Sequence, residues 1–188
     1  MRADPNNGLA RLDLSFDYAS IGYALSTMGD FDGSIAHYNR ALSEREQVAT
    51  ADPDDVNARD AVLRAHLSIG QVLRGAGRLE NAIPHYLKAR DLAADRYAAD
   101  PGNVAAGERL ATVYSGLAGT HGALASTVSG PARAAVHWRE TRGWAQKSLE
   151  TWRGPGTALS AAAIKEIDGL TALVARSEKE LIKLAAQR

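Results

Sequence analysis

Apolar residues recur at helical spacing along the chain. In the N-terminal part, Leu14, Tyr18, Ile21 and Leu25 follow one another at steps of four, three and four residues, which places them on one face of an α-helix. A second stripe of this kind lies in a helix predicted over residues 160–186, and its members are Ile164, Ile167, Leu170, Val174, Leu181 and Leu184. The pattern therefore predicts amphipathic helices near both ends.

An Asp-Pro pair punctuates this pattern at a fixed interval. Asp4-Pro5 recurs as Asp52-Pro53 and as Asp100-Pro101, 48 residues apart each time. Proline does not easily continue a helix, and short polar residues are favoured helix N-caps. Such a residue stands two positions after each proline, namely Asn7, Asp55 and Asn103. Each junction is therefore predicted to end one helix and begin the next.

The match continues within the period. Ser20-Ile21-Gly22 corresponds to Ser68-Ile69-Gly70, and His37-Tyr38 corresponds to His85-Tyr86. Gly29 and Gly77 then stand where a left-handed residue would end the first helix of each unit. The repeating unit is thus predicted to be a hairpin of two helices, each roughly 20 residues and about 30 Å long.

Gly22 and Gly70 fall inside predicted helices, where glycine is less favourable than alanine. Because the glycine recurs at the same position, we interpret it as a site of close helix–helix approach. Contact with a ligand is the alternative interpretation.

A third unit begins at Asn103 and then diverges from the first two. Residues 126–131 are predicted to form a longer turn, and a four-residue insertion explains the shift of His137 and Trp138 relative to the earlier His-Tyr pairs. Three tryptophans lie in its second helix. We expect them to pack this hairpin against the C-terminal helix, with a binding hot spot as the alternative; they are Trp138, Trp144 and Trp152.

These residues resemble the tetratricopeptide repeat. The first unit supplies Tyr18, Ile21-Gly22, Leu25, Gly29, Ser34, Tyr38, Ala41 and Pro53. The second supplies His66, Ile69-Gly70, Leu73, Gly77, Ala82, Tyr86, Ala89 and Pro101.

This resemblance implies an all-α superhelical array of antiparallel helix pairs with a C-terminal capping helix. The usual repeat has about 34 residues, and longer helices are expected to account for the period of 48. The chain is predicted to be one domain, 1–188, with units at about 4–51, 52–99 and 100–153 and a cap at about 157–187.

The 48-residue spacing and the C-terminal sequence also resemble the helical regions that follow serine/threonine kinase domains in some bacteria. That resemblance implies a part of a larger signalling protein. The chain itself has no Gly-rich phosphate loop, no His-Arg-Asp and no Asp-Phe-Gly, so kinase activity is not expected.

Composition narrows the functional class. Lys plus Arg equals Asp plus Glu at 22 each, whereas nucleic-acid binders usually carry a basic excess. No run of eighteen apolar residues is present, so membrane insertion is not expected. There is no cysteine. We expect a cytoplasmic protein, with an extracytoplasmic location left open if it belongs to a membrane-anchored kinase.

The histidines give no sign of a metal site. No two of the five have the i,i+4 spacing of a helical zinc site, and there is no His-Glu-x-x-His. His37, His85 and His137 occupy equivalent positions, so we expect a row at intervals of about 10 Å, each half-exposed beside an aromatic neighbour. We therefore predict no cofactor, no metal and no enzymatic activity.

The tetratricopeptide resemblance implies a concave groove lined by the first helix of each unit. Protein or peptide partners are expected there, and the residues predicted to bind them are Phe16, Tyr23, Arg64, Gln71, Arg74, Thr112 and Ser115. A solvated, non-binding role is the alternative for the two arginines. The predicted function is a non-catalytic scaffold that binds a peptide or helical segment, with self-assembly into a homo-oligomer as the alternative.

Overall fold

The structure, a computed structural model, describes residues 8–154 and 160–186. Within these ranges it contains seven α-helices and no strand. The predicted all-α fold is confirmed. The helices are α1 (Gly8–Thr27), α2 (Phe31–Ala51), α3 (Val56–Gly75), α4 (Leu79–Ala99), α5 (Val104–Thr127), α6 (Pro131–Trp152) and α7 (Ala161–Ala185).

Polar caps and glycines set the helix ends, as the repeat predicted. The Asp55 side chain accepts hydrogen bonds from the backbone N–H groups of Asn57 and Ala58, and Asn103 caps α5 in the same way. Gly29 and Gly77 have φ angles of 83° and 74°, a conformation that glycine adopts without the steric cost of a side chain. The first junction, Asp4-Pro5 with Asn7, lies outside the described residues.

The long period is explained by long helices, as expected. The helices have 20 to 25 residues, and the turn within each hairpin has three, at 28–30, 76–78 and 128–130. The longer turn predicted at 126–131 is therefore wrong. The four extra residues lengthen α5 by one turn, and the Ser126 and Thr127 hydroxyls donate to carbonyls of that helix, so both residues fit helical backbone.

The chain divides into two compact units, 1–92 and 93–188, with the boundary inside α4. In the first unit, a three-residue turn folds the second helix of each hairpin back on the first, so that Gly22 on α1 meets Tyr38 on α2 and Gly70 on α3 meets Tyr86 on α4. A Cβ atom on either glycine would lie 3.0–3.2 Å from a ring atom of that tyrosine. Close helix approach is thus confirmed as the role of both glycines. The prediction of one domain over 1–188 stays a prediction.

The second unit contains α5, α6 and α7. Leu149 and Trp152 of α6 pack with Leu170 of α7 in one buried cluster, and Trp144 packs against it. Trp138 is also buried, so packing is confirmed as the main role of the tryptophans. The predicted C-terminal helix is present, with Ser160 as its N-cap. One member of its predicted apolar stripe differs, because Ile164 is 48% exposed.

Candidate peptide-binding surface

Two aromatic side chains stand exposed on α1. Phe16 is 49% exposed and Tyr23 is 66% exposed. They are seven residues apart, so they lie two turns from each other on the same side of the helix. Both are predicted groove residues, and their rings are accessible to a partner.

Two polar side chains occupy the equivalent positions on α3. Arg64 and Gln71 are each 48 residues beyond an α1 aromatic, and Gln71 is exposed. The Arg64 side chain is 43% exposed and pairs with Asp60 at 3.0 Å. This ion pair lies within α3 and leaves the Arg64 guanidinium group at the surface, so both the groove role and the solvated alternative for Arg64 stay predictions.

Arg45 of α2 connects these two helices. Its Nε donates to Ser15 Oγ of α1 at 3.0 Å, and its Nη1 donates to the carbonyl oxygen of Ala61 on α3 at 3.1 Å. Its guanidinium carbon lies 5.4 Å from the centre of the Phe16 ring, a cation–π arrangement. The structure thus places this buried cation against Phe16 and against Ala61, which lies one helical turn before the predicted groove residue Arg64.

Burial of this guanidinium is almost complete, at 3% exposure. Burial, and then the neighbouring Arg64, lower the pKa of Arg45. Among the residues that the structure describes, no carboxylate lies within 4.0 Å of Arg45. A buried cation usually has a charged partner, so the positive charge beneath Phe16 is incompletely compensated.

Tyr38 adds a hydroxyl to the same part of the first unit. Burial raises the pKa of Tyr38, while a hydrogen bond with Ser68 lowers it, Tyr23 raises it and Arg45 lowers it. The Tyr38 ring also lies against Gly22 of α1. The surface gathers side chains from α1, α2 and α3.

Arg74 lies near the buried ring of the second hairpin. The Arg74 residue is exposed. Burial raises the pKa of Tyr86, and the charge of Arg74 lowers it. The role of Arg74 in a groove stays a prediction.

The remaining two predicted groove residues belong to the second unit. Thr112 and Ser115 are half-buried on α5. The Thr112 hydroxyl donates to the carbonyl oxygen of Glu108 one turn earlier. Their membership of a groove shared with α1 and α3 stays a prediction.

Sequence reasoning missed Arg45. Its counterpart 48 residues later is Ala93, so the repeat gave no signal, and the resemblance directed attention to first helices only. An arginine flanked by Leu42 and Val48, which are both buried, was the available clue, because that spacing puts it on the inner face of α2.

Two histidine pairs were also missed. His66 and His85 approach to 3.1 Å between their Nδ1 atoms, and His121 and His137 do the same. Burial, then His85 and Lys88, lower the pKa of His66 to about 4. Burial also lowers the pKa of His85. These imidazoles pair across helices, so the expectation of one aromatic neighbour each was incomplete.

The repeat contained a signal for the first of these pairs. Tyr18 faces His37, with ring centres 6.3 Å apart, and His66 stands 48 residues after Tyr18. The same register therefore places His66 opposite His85. The longer α5 removes this signal in the third hairpin, where Tyr114 stacks on Trp144 instead.

Two clefts in the first unit lie apart from the predicted groove residues. One is lined by Ile35, Asn39, Ile69, Leu73, Arg78, Glu80, Asn81, Pro84 and His85. The other is lined by Gly8, Arg11, Ser43, Glu46, Gln47, Val48, Thr50, Ala51 and Asp52. Neither contains a predicted groove residue.

Over residues 8–154 and 160–186, no three histidine or carboxylate side chains come together as a metal site would require. In the same ranges, every helix is too short or too polar to cross a bilayer.

Comparison with known proteins identifies the type of repeat. The family model described as tetratricopeptide repeat matches residues 18–48 and 63–96, about a third of the chain, and leaves the third hairpin unmatched. No curated protein matches the chain. A solved structure described as "Crystal structure of MamA protein" is 14% identical, over 93% of this chain and 95% of that one, with a TM-score of 0.18. Two segments of the chain are therefore similar to tetratricopeptide repeats, and its all-α fold is a helical repeat fold of that type.

Proposed function

We propose that this protein is a non-catalytic scaffold that binds a peptide or helical segment of another protein on the surface formed by Phe16, Tyr23, Arg64 and Gln71. Tetratricopeptide repeats generally mediate protein–protein interactions. The observation that carries the specific proposal is the buried guanidinium of Arg45, which lies beneath Phe16 and contacts Ala61, one helical turn before Arg64.

The chemistry of this surface favours a particular kind of segment. Exposed aromatic rings give large contact area at low conformational cost, so Phe16 and Tyr23 suit an apolar side chain. The incompletely compensated charge of Arg45 and the exposed guanidinium of Arg64 attract a carboxylate. The Gln71 amide both donates and accepts hydrogen bonds. The preferred segment thus combines an apolar residue with an acidic one.

An array of 12-residue peptides tests the proposal. The array contains acidic, neutral and basic members, each with and without one aromatic or leucine residue, and binding is quantified by fluorescence anisotropy. We expect acidic peptides with an apolar residue to bind best. A preference for basic peptides, or no binding in any class, contradicts the proposal.

Variants then locate the binding surface. Arg64→Glu combined with Arg74→Glu is expected to weaken the best acidic peptide by about tenfold or more, since like charges across an interface are unfavourable. Arg59→Glu is the matched control, because Arg59 is an exposed arginine of the same helix and lies outside the predicted groove. If the double variant binds every peptide as the wild type does, the groove assignment is wrong.

We also propose that the chain belongs to a bacterial signalling protein and acts in the cytoplasm. This proposal is supported by the 48-residue Asp-Pro spacing and by the C-terminal sequence alone. Sequencing the genomic region around the coding sequence tests it. A kinase domain in the same or an adjacent reading frame would support the proposal, and a neighbourhood without signalling genes would contradict it.

A further inference from the structure

A side of α1 is exposed although the repeat marks it as core. We define the α1 outer face as Ala10, Asp13, Leu14, Asp17, Ile21 and Ala24. All six residues are exposed, including Leu14 at 41% and Ile21 at 45%. Their spacing of three, four and seven residues puts them on one side of the helix.

The equivalent side of α3 is buried. The residues 48 positions later are Ala58, Ala61, Val62, Ala65, Ile69 and Val72, and each is at most 9% exposed. The same side of the same repeat helix is therefore covered in one hairpin and open in the other.

Helix α2 is one of the elements that bury this side of α3. Arg45 of α2 reaches the carbonyl oxygen of Ala61, and Ile69 shares a cleft with Ile35 and Asn39 of α2. The helix that covers this side is amphipathic, with Leu42 and Val48 buried beside the arginine. The structure thus contains an example of what the α1 outer face would accept.

The charges of the α1 outer face specify the occupant further. Asp13 and Asp17 stand where α3 has Ala61 and Ala65. Neither carboxylate has a cation within 4.0 Å in the described ranges. Asp13 is equivalent to Ala61, whose carbonyl oxygen accepts a hydrogen bond from Arg45 of α2. A basic residue on a docking helix would therefore meet the Asp13 carboxylate instead of a carbonyl oxygen.

We propose that the α1 outer face binds an amphipathic helix of another protein that resembles α2, with an aliphatic stripe and a basic residue opposite Asp13 and Asp17. A second copy of this chain fits less well. Pairing α1 with α1 would bring these carboxylates toward one another or bury them against aliphatic side chains, and both arrangements are unfavourable.

A peptide with the sequence of α2, residues 31–51, serves as the probe. Its affinity for the full chain is measured by fluorescence anisotropy, beside the same peptide carrying Arg45→Glu. We expect the unmodified peptide to bind and the glutamate peptide to bind about tenfold more weakly, since a like charge replaces an attractive one. Absence of binding by the unmodified peptide up to millimolar concentration overturns the proposal.

A charge exchange tests the contact itself. Asp13→Lys with Asp17→Lys should weaken the unmodified peptide about tenfold and restore the glutamate peptide. Both substitutions are at exposed positions, so the far-ultraviolet circular dichroism of the protein should be unchanged. Unaltered affinities for both peptides overturn the proposal.

Two further measurements separate this face from the groove and from self-association. Arg64→Glu should leave binding of the α2 peptide unchanged. Weaker binding of the α2 peptide to this variant would mean that the peptide occupies the proposed groove, and it would overturn the proposal.

Light scattering should show a monomer at the concentrations used. A dimer that Leu14→Glu dissociates would make a second copy the occupant and overturn the proposal. If the peptide-binding proposal for the Phe16–Arg64 surface fails, the proposal for the α1 outer face still stands, because the two surfaces share no residue.

Discussion

The ring of Tyr86 lies directly over Gly70. A Cβ atom at Gly70 would be 3.2 Å from the Cδ1, Cδ2 and Cε1 atoms of that ring, and Tyr86 is fully buried. The same contact joins Gly22 to Tyr38 in the preceding hairpin. The recurring glycine allows the two helices of a hairpin to approach, with the tyrosine filling the space that a side chain would take.

Gly70→Ala is therefore expected to destabilise the protein despite the better helix propensity of alanine. Overpacking against the fixed ring should lower the free energy of unfolding by about 1 kcal/mol, measured by chemical denaturation. Gly143→Ala on α6 is the control, because nothing lies within 4 Å of its added Cβ, and it should stabilise by about 0.5–1 kcal/mol. Equal effects of the two substitutions would show that the Gly70 contact is not close.

Tyr86→Ala is expected to cost roughly 3–5 kcal/mol, as truncation of a buried aromatic does. The measurement is the free energy of unfolding in guanidinium chloride. Tyr23→Ala provides the comparison, because Tyr23 is 66% exposed, and its cost should be below about 1 kcal/mol. A loss of less than about 1 kcal/mol in the free energy of unfolding for Tyr86→Ala would place the Tyr86 ring outside the core.

Leu170→Ala tests the attachment of α7 to the second unit. Leu170 is 4% exposed within the cluster that includes Trp152, so we expect a loss of about 2–4 kcal/mol. Ile182→Ala is the matched control on the same helix, at 72% exposure, and should change stability by less than about 0.5 kcal/mol. Similar losses for both would mean that α7 packs with a different face inward.

The His66–His85 pair predicts a pH dependence of stability. The pKa of His66 is lowered to about 4 in the folded protein, whereas an unfolded histidine titrates near 6.5. As the pH falls from about 6.5 to about 4, the unfolded chain therefore binds more protons at this residue, and the free energy of unfolding declines. His66→Gln should reduce the decline. Parallel curves for the variant and the wild type over this range would contradict the prediction.

Much of the helical framework could be predicted from the sequence, because its determinants are local. Asp55 and Asn103 act within their own first turns, and Gly29 and Gly77 end helices through their own backbone conformation. The insertion was mislocated because serine and threonine suit both a turn and a helix end, and Thr127 took the helical alternative.

The candidate surface was less predictable than the fold. Phe16 and Arg64 followed from their repeat positions, but Arg45 has no repeat counterpart, and its role depends on contacts with Ser15 and Ala61 on two other helices. Exposure of Leu14 and Ile21 also ran against the pattern. Their apolar spacing predicts a buried stripe, and only the structure shows that this side of α1 has no covering helix among the described residues.

The most direct test of the proposed function is an amide chemical-shift titration with the best acidic peptide from the array. We predict that the largest changes fall on α1 and α3, around Tyr23 and Gln71, and that they disappear in the variant with Arg64→Glu and Arg74→Glu. Changes confined to the cleft around Asn39 and Asn81, with none on α1, would contradict peptide binding at the Phe16–Arg64 surface.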